Sequence, residues 1–167
     1  MAGGKGALNS FFSSSQAALG HDLDHTGFTN DYLVETQTTL ACLYNDQSVM
    51  ESHSCATLMG VLSRKESDLF ADFEPADRTR CKKGIIDAIL STDMARHFSV
   101  VSNYTLRCEA AQFSKDNPAD RQLLINILLV RTVTMTLSLS LPWHCLSLPR
   151  TPGGVLLQAP ARVVMLT

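Results

Sequence analysis

The sequence predicts an all-α fold, and three observations carry that expectation. Between about Asn30 and Leu129, apolar residues recur at three-to-four spacing and helix-start signals stand ahead of the periodic runs. No stretch in this span alternates apolar with polar residues as a half-buried strand does. A chain of 167 residues is also long enough to enclose one core.

The elements follow in order. DYLVETQTTLACLYN (31–45) and QSVMESHSCATLMGVL (47–62) are helix-length and free of proline, with no glycine before Gly60. FEPADRTRCKKGIIDAILSTDMARHFSVV (73–101) continues the helical reading. Pro75 suits a first helical position, whose N–H has no partner in any case, and Asp77 suits the first turn, where the helix dipole favours an anion. Ile86, Ile89, Leu90, Met94, His97 and Val101 then share one face. NPADRQLLINILL (117–129) repeats the start signal, with Asn117 as N-cap, Pro118 next and Asp120 in the first turn.

The two ends differ from this middle. Every acidic residue lies between Asp22 and Asp120, whereas a folded domain's surface mixes both signs. After Leu129 the chain alternates Thr, Ser and Leu, breaks at prolines and ends in an uncharged apolar tail. Residues 1–16 and 130–167 are therefore expected as irregular flanks. Leu123 to Leu141 has the length of a membrane span, but Asn126, Arg131 and the interspersed Ser and Thr argue against one.

A net charge of -2 gives no electrostatic case for nucleic acid or an anionic membrane as partner. Cys42, Cys55, Cys81, Cys108 and Cys145 are odd in number, far apart and never CxxC. That pattern predicts reduced thiols rather than a disulfide framework or a zinc knuckle. With no basic, then apolar leader in the sequence, the expected location is cytoplasmic.

HDLDH, residues 21–25, is where the chemistry concentrates. An adjacent imidazole and carboxylate can hold one cation, and the carboxylate can bridge to a second. The stretch His21-Asp22-Leu23-Asp24-His25-Thr26-Gly27-Phe28-Thr29-Asn30 is followed by Leu33. It resembles HDxDHxGxxNxxL, the metal-binding signature of the class I 3',5'-cyclic nucleotide phosphodiesterases. LYNDQSVMESH (43–53) resembles that family's LYNDxSVLExH block, and IDAILSTDMARH (86–97) resembles its helix ending in TDMxxH.

The resemblance covers about residues 17–129 and implies part of the multi-helix phosphodiesterase catalytic fold acting on cyclic AMP or cyclic GMP. By it, His21 and Asp22 are metal ligands, Asp22 bridging a zinc ion and a magnesium or manganese ion. His25, Glu51 and Thr92 surround waters on the second metal, Asn30 holds the turn, and Met94 lines the nucleotide pocket. Asp24 orients rather than binds. His53 and His97 read as packing or helix-surface histidines, and Cys42 and Cys55 as core thiols. A homo-oligomer is left open.

The family's HNxxHxxD motif, source of the general acid and one ligand, has no counterpart, because no histidine precedes His21. Its HxADxxNP motif, source of a further ligand, is replaced by Val130-Arg131-Thr132-Val133, and Gln158 lacks the context of the purine-gripping glutamine. A general acid alone is worth about 10²–10⁴ in rate. This chain by itself is therefore expected to be inactive. The alternative expectation is a non-catalytic truncated relative that acts as an interaction or regulatory protein. Phe11-Phe12-Ser13-Ser14-Ser15-Gln16 can be encoded by a pyrimidine tract ending in CAG, and Val130-Arg131 by codons opening on GT. Residues 1–16 and 130–167 are accordingly read as translated intron flanking a partial catalytic domain at 17–129.

Overall fold

A computed structural model describes residues 2–140 and contains no strand among them. Helix α1 (Ala2–Gly20) lies along α5 (Pro75–Leu90), and α7 (Pro118–Ser140) packs against both. Helix α4 (Val49–Leu62) packs on another side of α5, while α6 (Met94–Glu109) is held mainly by α7. Two short helices, α2 (Asn30–Glu35) and α3 (Thr39–Leu43), sit beside the start of α4.

The main core joins Ala17 of α1, Cys55, Leu58 and Leu62 of α4, Cys81, Ile85, Ala88 and Ile89 of α5, and Leu129 of α7 around Phe70. A smaller cluster of Leu33, Ala41, Val49 and Met50 joins α2, α3 and the start of α4. Gly84 is where three helices close. A Cβ there would lie 3.0 Å from Gln122 Oε1 on α7 and 3.3 Å from Ser13 Oγ on α1.

The start signals at Pro75, Asp77 and Asn117 are in place. Pro75 opens α5, and Asn117 Oδ1 accepts from Ala119 N at 2.9 Å. The helix read over 31–45 is instead two helices. Gln37 takes φ 50°, Thr36 Oγ1 donates to Tyr32 O, and Thr38 Oγ1 caps α3 through Ala41 N. The run 73–101 also breaks, between α5 and α6. Ser91 and Thr92 donate back to Ala88 O and Ile89 O, and the Asp93 carboxylate caps Ala95 N. Short polar side chains that bond to nearby backbone offer it an alternative to helix, and three in a row prevail here. The apolar stripe is divided accordingly: Ile89 is buried on α5, whereas Met94 and Val101 are exposed on α6.

Residues 1–16, expected as an irregular flank, instead belong to α1 from Ala2 onward. The serines do not break it, because Ser13, Ser14 and Ser15 donate to Asn9 O, Phe11 O and Phe11 O within the same helix. Phe12 packs against Phe70 and Phe73, with ring centroids 5.5 and 5.1 Å away, and Asn9 Nδ2 donates to Asp77 Oδ1 at 2.9 Å. The C-terminal flank likewise starts as helix, with α7 running on past Leu129 to Ser140. Residues 141–167, with Cys145 and Gln158, lie outside the described residues. Cys55 is buried as expected, but Cys42 is exposed on α3. Among the described residues no helix is long and apolar enough to cross a membrane.

This packing makes the N-terminal helix part of the core, and that is measurable. Phe12→Ala is expected to cost about 2–3 kcal/mol in urea unfolding, somewhat less than a fully buried Phe because part of the ring is exposed. Phe11, its neighbour, is 70% exposed. Phe11→Ala is expected to stay within about 0.5 kcal/mol of the native chain. Equal effects of the two substitutions would contradict the packing.

Candidate functional site

The HD turn leaves the end of α1 and is tied down at several points. Gly20 lets α1 rest on α4, since a Cβ there would lie 2.6 Å from Leu58 Cδ2. Leu23 N and His25 N then close the turn on Gly20 O and Asp22 O. Leu23 O accepts from Ser54 Oγ at 3.0 Å, and Asp24, at φ 60°, faces His53 Nε2 at 2.8 Å. Both contacts reach α4, so the turn keeps a fixed position over that helix.

Beyond the turn, Gly27 takes φ 83°, a conformation glycine adopts freely, and its N–H donates to His25 Nδ1 at 2.9 Å. Thr29 caps α2 through Tyr32 N. Asn30 then uses both ends of its amide on α4: Oδ1 accepts from Met50 N at 2.9 Å, and Nδ2 donates to Glu51 Oε2 at 2.8 Å. This seats Glu51 in the first turn of α4 facing the HD turn's end.

A cleft of about 1030 Å³ opens between the starts of α2, α4 and α6. His25, Asn30, Glu51 and Met94 all line it, together with Ser48 and Asp93. Four of the residues singled out from the sequence are therefore gathered in one place. Asp31, Glu35, Asp46, Glu51 and Asp93 make its lining strongly acidic, with Arg96 and His25 as the basic groups present. Burial raises the Glu51 carboxyl above the ordinary range and Asp93 adds to this, while the hydrogen bond from Asn30 and the nearby His25 oppose it. Asp31, Glu35 and Asp46 are exposed to water, which is what makes so many carboxylates tolerable there, and the starts of α2, α4 and α6 add a small favourable field.

His21 and Asp22 stand in the turn rather than among the cleft-lining residues. His21 Nδ1 lies 2.9 Å from Ala18 O, a carbonyl that can only accept, so that nitrogen carries the hydrogen. The other ring nitrogen, Nε2, lies 3.2 Å from Asp22 Oδ2, so the two side chains present a nitrogen and an oxygen donor to one place. Two donors are nevertheless only half of a four-ligand zinc site. Among the described residues, no group of three His, Cys, Asp or Glu side chains comes together as one. The residues present thus offer a partial donor set, not a complete metal site.

Thr92 turns its hydroxyl onto Ile89 O, at the end of α5, and is not among the cleft-lining residues. His53 packs edge-on toward Tyr44, and His97 toward Phe98. Sequence reasoning missed Ser48 and Asp93 as a pair: Ser48 Oγ donates to Asp93 Oδ2 at 2.7 Å, and both residues are buried. Nothing in the sequence brings positions 48 and 93 together, because the reading of 73–101 as one helical run hid the start of α6 at Asp93.

Residues 8–144 match the pattern of the family described as 3'5'-cyclic nucleotide phosphodiesterase, a span that extends beyond 17–129 on both sides. The chain is 36% identical over 115 residues to the high affinity cGMP-specific 3',5'-cyclic phosphodiesterase 9A of Mus musculus, which covers 69% of this chain and 21% of that protein. It is 36% identical over 118 residues to the 3',5'-cyclic-AMP phosphodiesterase, isoform F, of Drosophila melanogaster, covering 66% of this chain and 18% of that protein. The chain thus spans about a fifth of the length of these relatives. The crystal structure of the phosphodiesterase domain of the RhoPDE fusion protein from the choanoflagellate Salpingoeca rosetta is similar with a TM-score of 0.70 and 31% identity. That likeness covers 73% of this chain and 39% of the other. With the motifs, the helical fold and the matched span in agreement, the chain belongs to the 3',5'-cyclic nucleotide phosphodiesterase family.

Proposed function

We propose that this chain is the metal-site part of a catalytic unit that hydrolyses 3',5'-cyclic nucleotides to 5'-monophosphates. Water adds to phosphorus, the bond to O3' breaks, and O3' takes up a proton. The observation that carries this reading is the position of the HD turn beside a cleft that gathers His25, Asn30, Glu51 and Met94. In this reading His21 and Asp22, beside the cleft, would hold divalent cations, zinc with magnesium or manganese, Met94 packs against the nucleotide, and His25, Glu51 and Thr92 order water. The relatives include a cGMP-specific and a cyclic-AMP phosphodiesterase, so the reading extends to both nucleotides. A cytoplasmic setting, where thiols stay reduced, suits the free cysteines.

Electrostatics supports the need for cations. A phosphate anion about 4 Å from one ionised carboxylate is disfavoured by about 4 kcal/mol at the effective dielectric of a protein surface. A helix N-terminus returns only about 0.3–1 kcal/mol. Three of them cannot offset the carboxylates of Asp31, Glu35, Asp46 and Asp93 around this cleft. An anionic substrate therefore needs bound divalent cations here. With two matched metal ligands among the described residues and no counterpart of the family's HNxxHxxD motif, the chain alone is expected to bind without turnover. The second reading, a non-catalytic interaction protein, draws on the exposed apolar side chains of α6, with Phe98 78% exposed.

Two measurements test this. Isothermal titration of the full chain with cyclic GMP and cyclic AMP is expected to give binding only when Mn²⁺ is present. Asp22→Ala is expected to weaken Mn²⁺ affinity at least about tenfold, the scale seen even for partners of metal ligands. Nucleotide binding that ignores both Mn²⁺ and the substitution would overturn the reading. The second concerns Glu51, whose carboxyl binds its proton more tightly folded than unfolded. The native state then holds more protons, so this group's contribution to stability is full in acid and is lost as pH rises through its folded titration. Glu51→Gln keeps an acceptor for Asn30 and removes the buried charge. In chelator it is expected to raise the melting temperature at neutral pH, with the gain closing in acid. A pH-independent effect would contradict the assignment.

A further inference from the structure

Ser48 precedes α4 with φ 44° and ψ 52°. A helix N-cap is ordinarily extended, and its side chain accepts from its own helix. Ser48 does neither: its hydroxyl makes no capping bond to α4 and instead donates to Asp93 Oδ2 at 2.7 Å. Asn45 and Asp46 share its left-handed backbone, at φ 54° and 59°. Asn and Asp tolerate this conformation better than most residues, whereas serine gains nothing local from it. Strain of this kind persists where surrounding contacts over-determine the backbone, and it concentrates at functional sites.

The contact that fixes Ser48 reaches another helix. Asp93 Oδ2 takes the Ser48 hydroxyl while Oδ1 caps α6 through Ala95 N at 2.9 Å. One carboxylate thereby holds the starts of α4 and α6 together. The pair is shielded from water, at 9% and 8% exposure, where a charge-assisted hydrogen bond is strongest. The residues that follow are those facing the cleft from its two walls: Met50 and Glu51 on α4, Met94 on α6.

We infer that Ser48 is a positioning residue: its hydroxyl, bonded to Asp93, fixes the spacing of the α4 and α6 starts and so the width of the cleft between Glu51 and Met94. What the cleft takes rests on the function proposed above; its width does not. In that reading the spacing sets how the nucleotide fits between Met94 and the first turn of α4.

The test uses the full chain labelled with ¹³C-methyl methionine, because Met50 and Met94 report on opposite walls and Met59 reports on the core packing of α4. Ser48→Gly accepts the left-handed backbone freely but lacks the hydroxyl. It is expected to leave Met59 in place, shift Met94 across the cleft, and weaken binding of cyclic GMP with Mn²⁺ about tenfold. Ser48→Asn, which tolerates the same backbone and carries a donor, is expected to restore both. Asp93→Ser reads the link from the other side, because one short hydroxyl can cap α6 but cannot reach the Ser48 hydroxyl as well, and the informative signal is Met50. It keeps a cap for α6 and decides the question should the glycine variant unfold. An unmoved Met94 in Ser48→Gly with native binding, or an unmoved Met50 in Asp93→Ser, overturns the inference. Absence of nucleotide binding by the native chain would count against the proposed function alone, and the methyl shifts would still decide the positioning role.

Discussion

Helices α1, α5 and α7 approach closely at Gly84, and the position of the HD turn beside the cleft follows from that approach. With no side chain at Gly84, Ser13 of α1 reaches Cys81 O at 3.3 Å and Gln122 of α7 reaches Gly84 O at 3.1 Å. The register of α1 on α5 is therefore set by polar contacts inside an otherwise apolar interface. Phe12, Ala17 and Ile85 then fill the space around them. Because α1 is fixed in this way, its end at Gly20 arrives at Leu58 on α4, and the HD turn emerges at one place over that helix. A slip of α1 by a single residue would rotate it about 100° and carry His21 and Asp22 away from the cleft.

The cleft itself illustrates how one set of residues meets structural and chemical needs together. Thr29, Ser48 and Asp93 stand immediately before α2, α4 and α6, and Thr29 and Asp93 bond to the first N–H groups of their helices. Taken alone, an acid or hydroxyl at a helix start is a cap and needs no further role. Here three such starts converge, and the acids they attract share one space, so a property of single helices becomes a property of the site. Burial adds to it by raising the Glu51 carboxyl, which Asn30 holds in place while also bonding to Met50 N. Asn30 is thereby both the fastener of α2 to α4 and the orienting partner of a cleft carboxylate.

Much of this was legible in the sequence because it is written in local chemistry. Pro75, Asn117 and Pro118 mark helix starts by what they do to their own backbone, and the HD turn is a contiguous motif. The divisions at Gln37 and at Ser91–Asp93 were hidden because apolar periodicity runs through both, while the outcome hangs on side-chain bonds to nearby carbonyls. Helix α1 was hidden for a different reason. A run of Ser with few charged neighbours has weak helix propensity, and what rescues it is packing of Phe12 and Ala17 against residues some sixty positions away. The pairing of Ser48 with Asp93 is of the same kind, a long-range contact that no local pattern announces.

Helix α6 is held differently from the other long helices. It has no buried residue and leaves Phe98 and Leu106 exposed. It is tied to the start of α7 by Arg107, whose guanidinium pairs with the fully buried carboxylate of Asp120. Asp120 also accepts from Ser114 N, so one acid organises the connection between the two helices. Hydrophobic burial, the usual source of helix stability in a domain, is thus largely replaced in α6 by an ion pair and by the Asp93 cap. Both fastenings are at the ends of the helix, which leaves its middle least restrained. The end that carries Met94 to the cleft is the Asp93 end. The cleft's outer wall therefore depends on the same carboxylate that Ser48 holds, and the polar link between α4 and α6 does there what apolar packing does around α5.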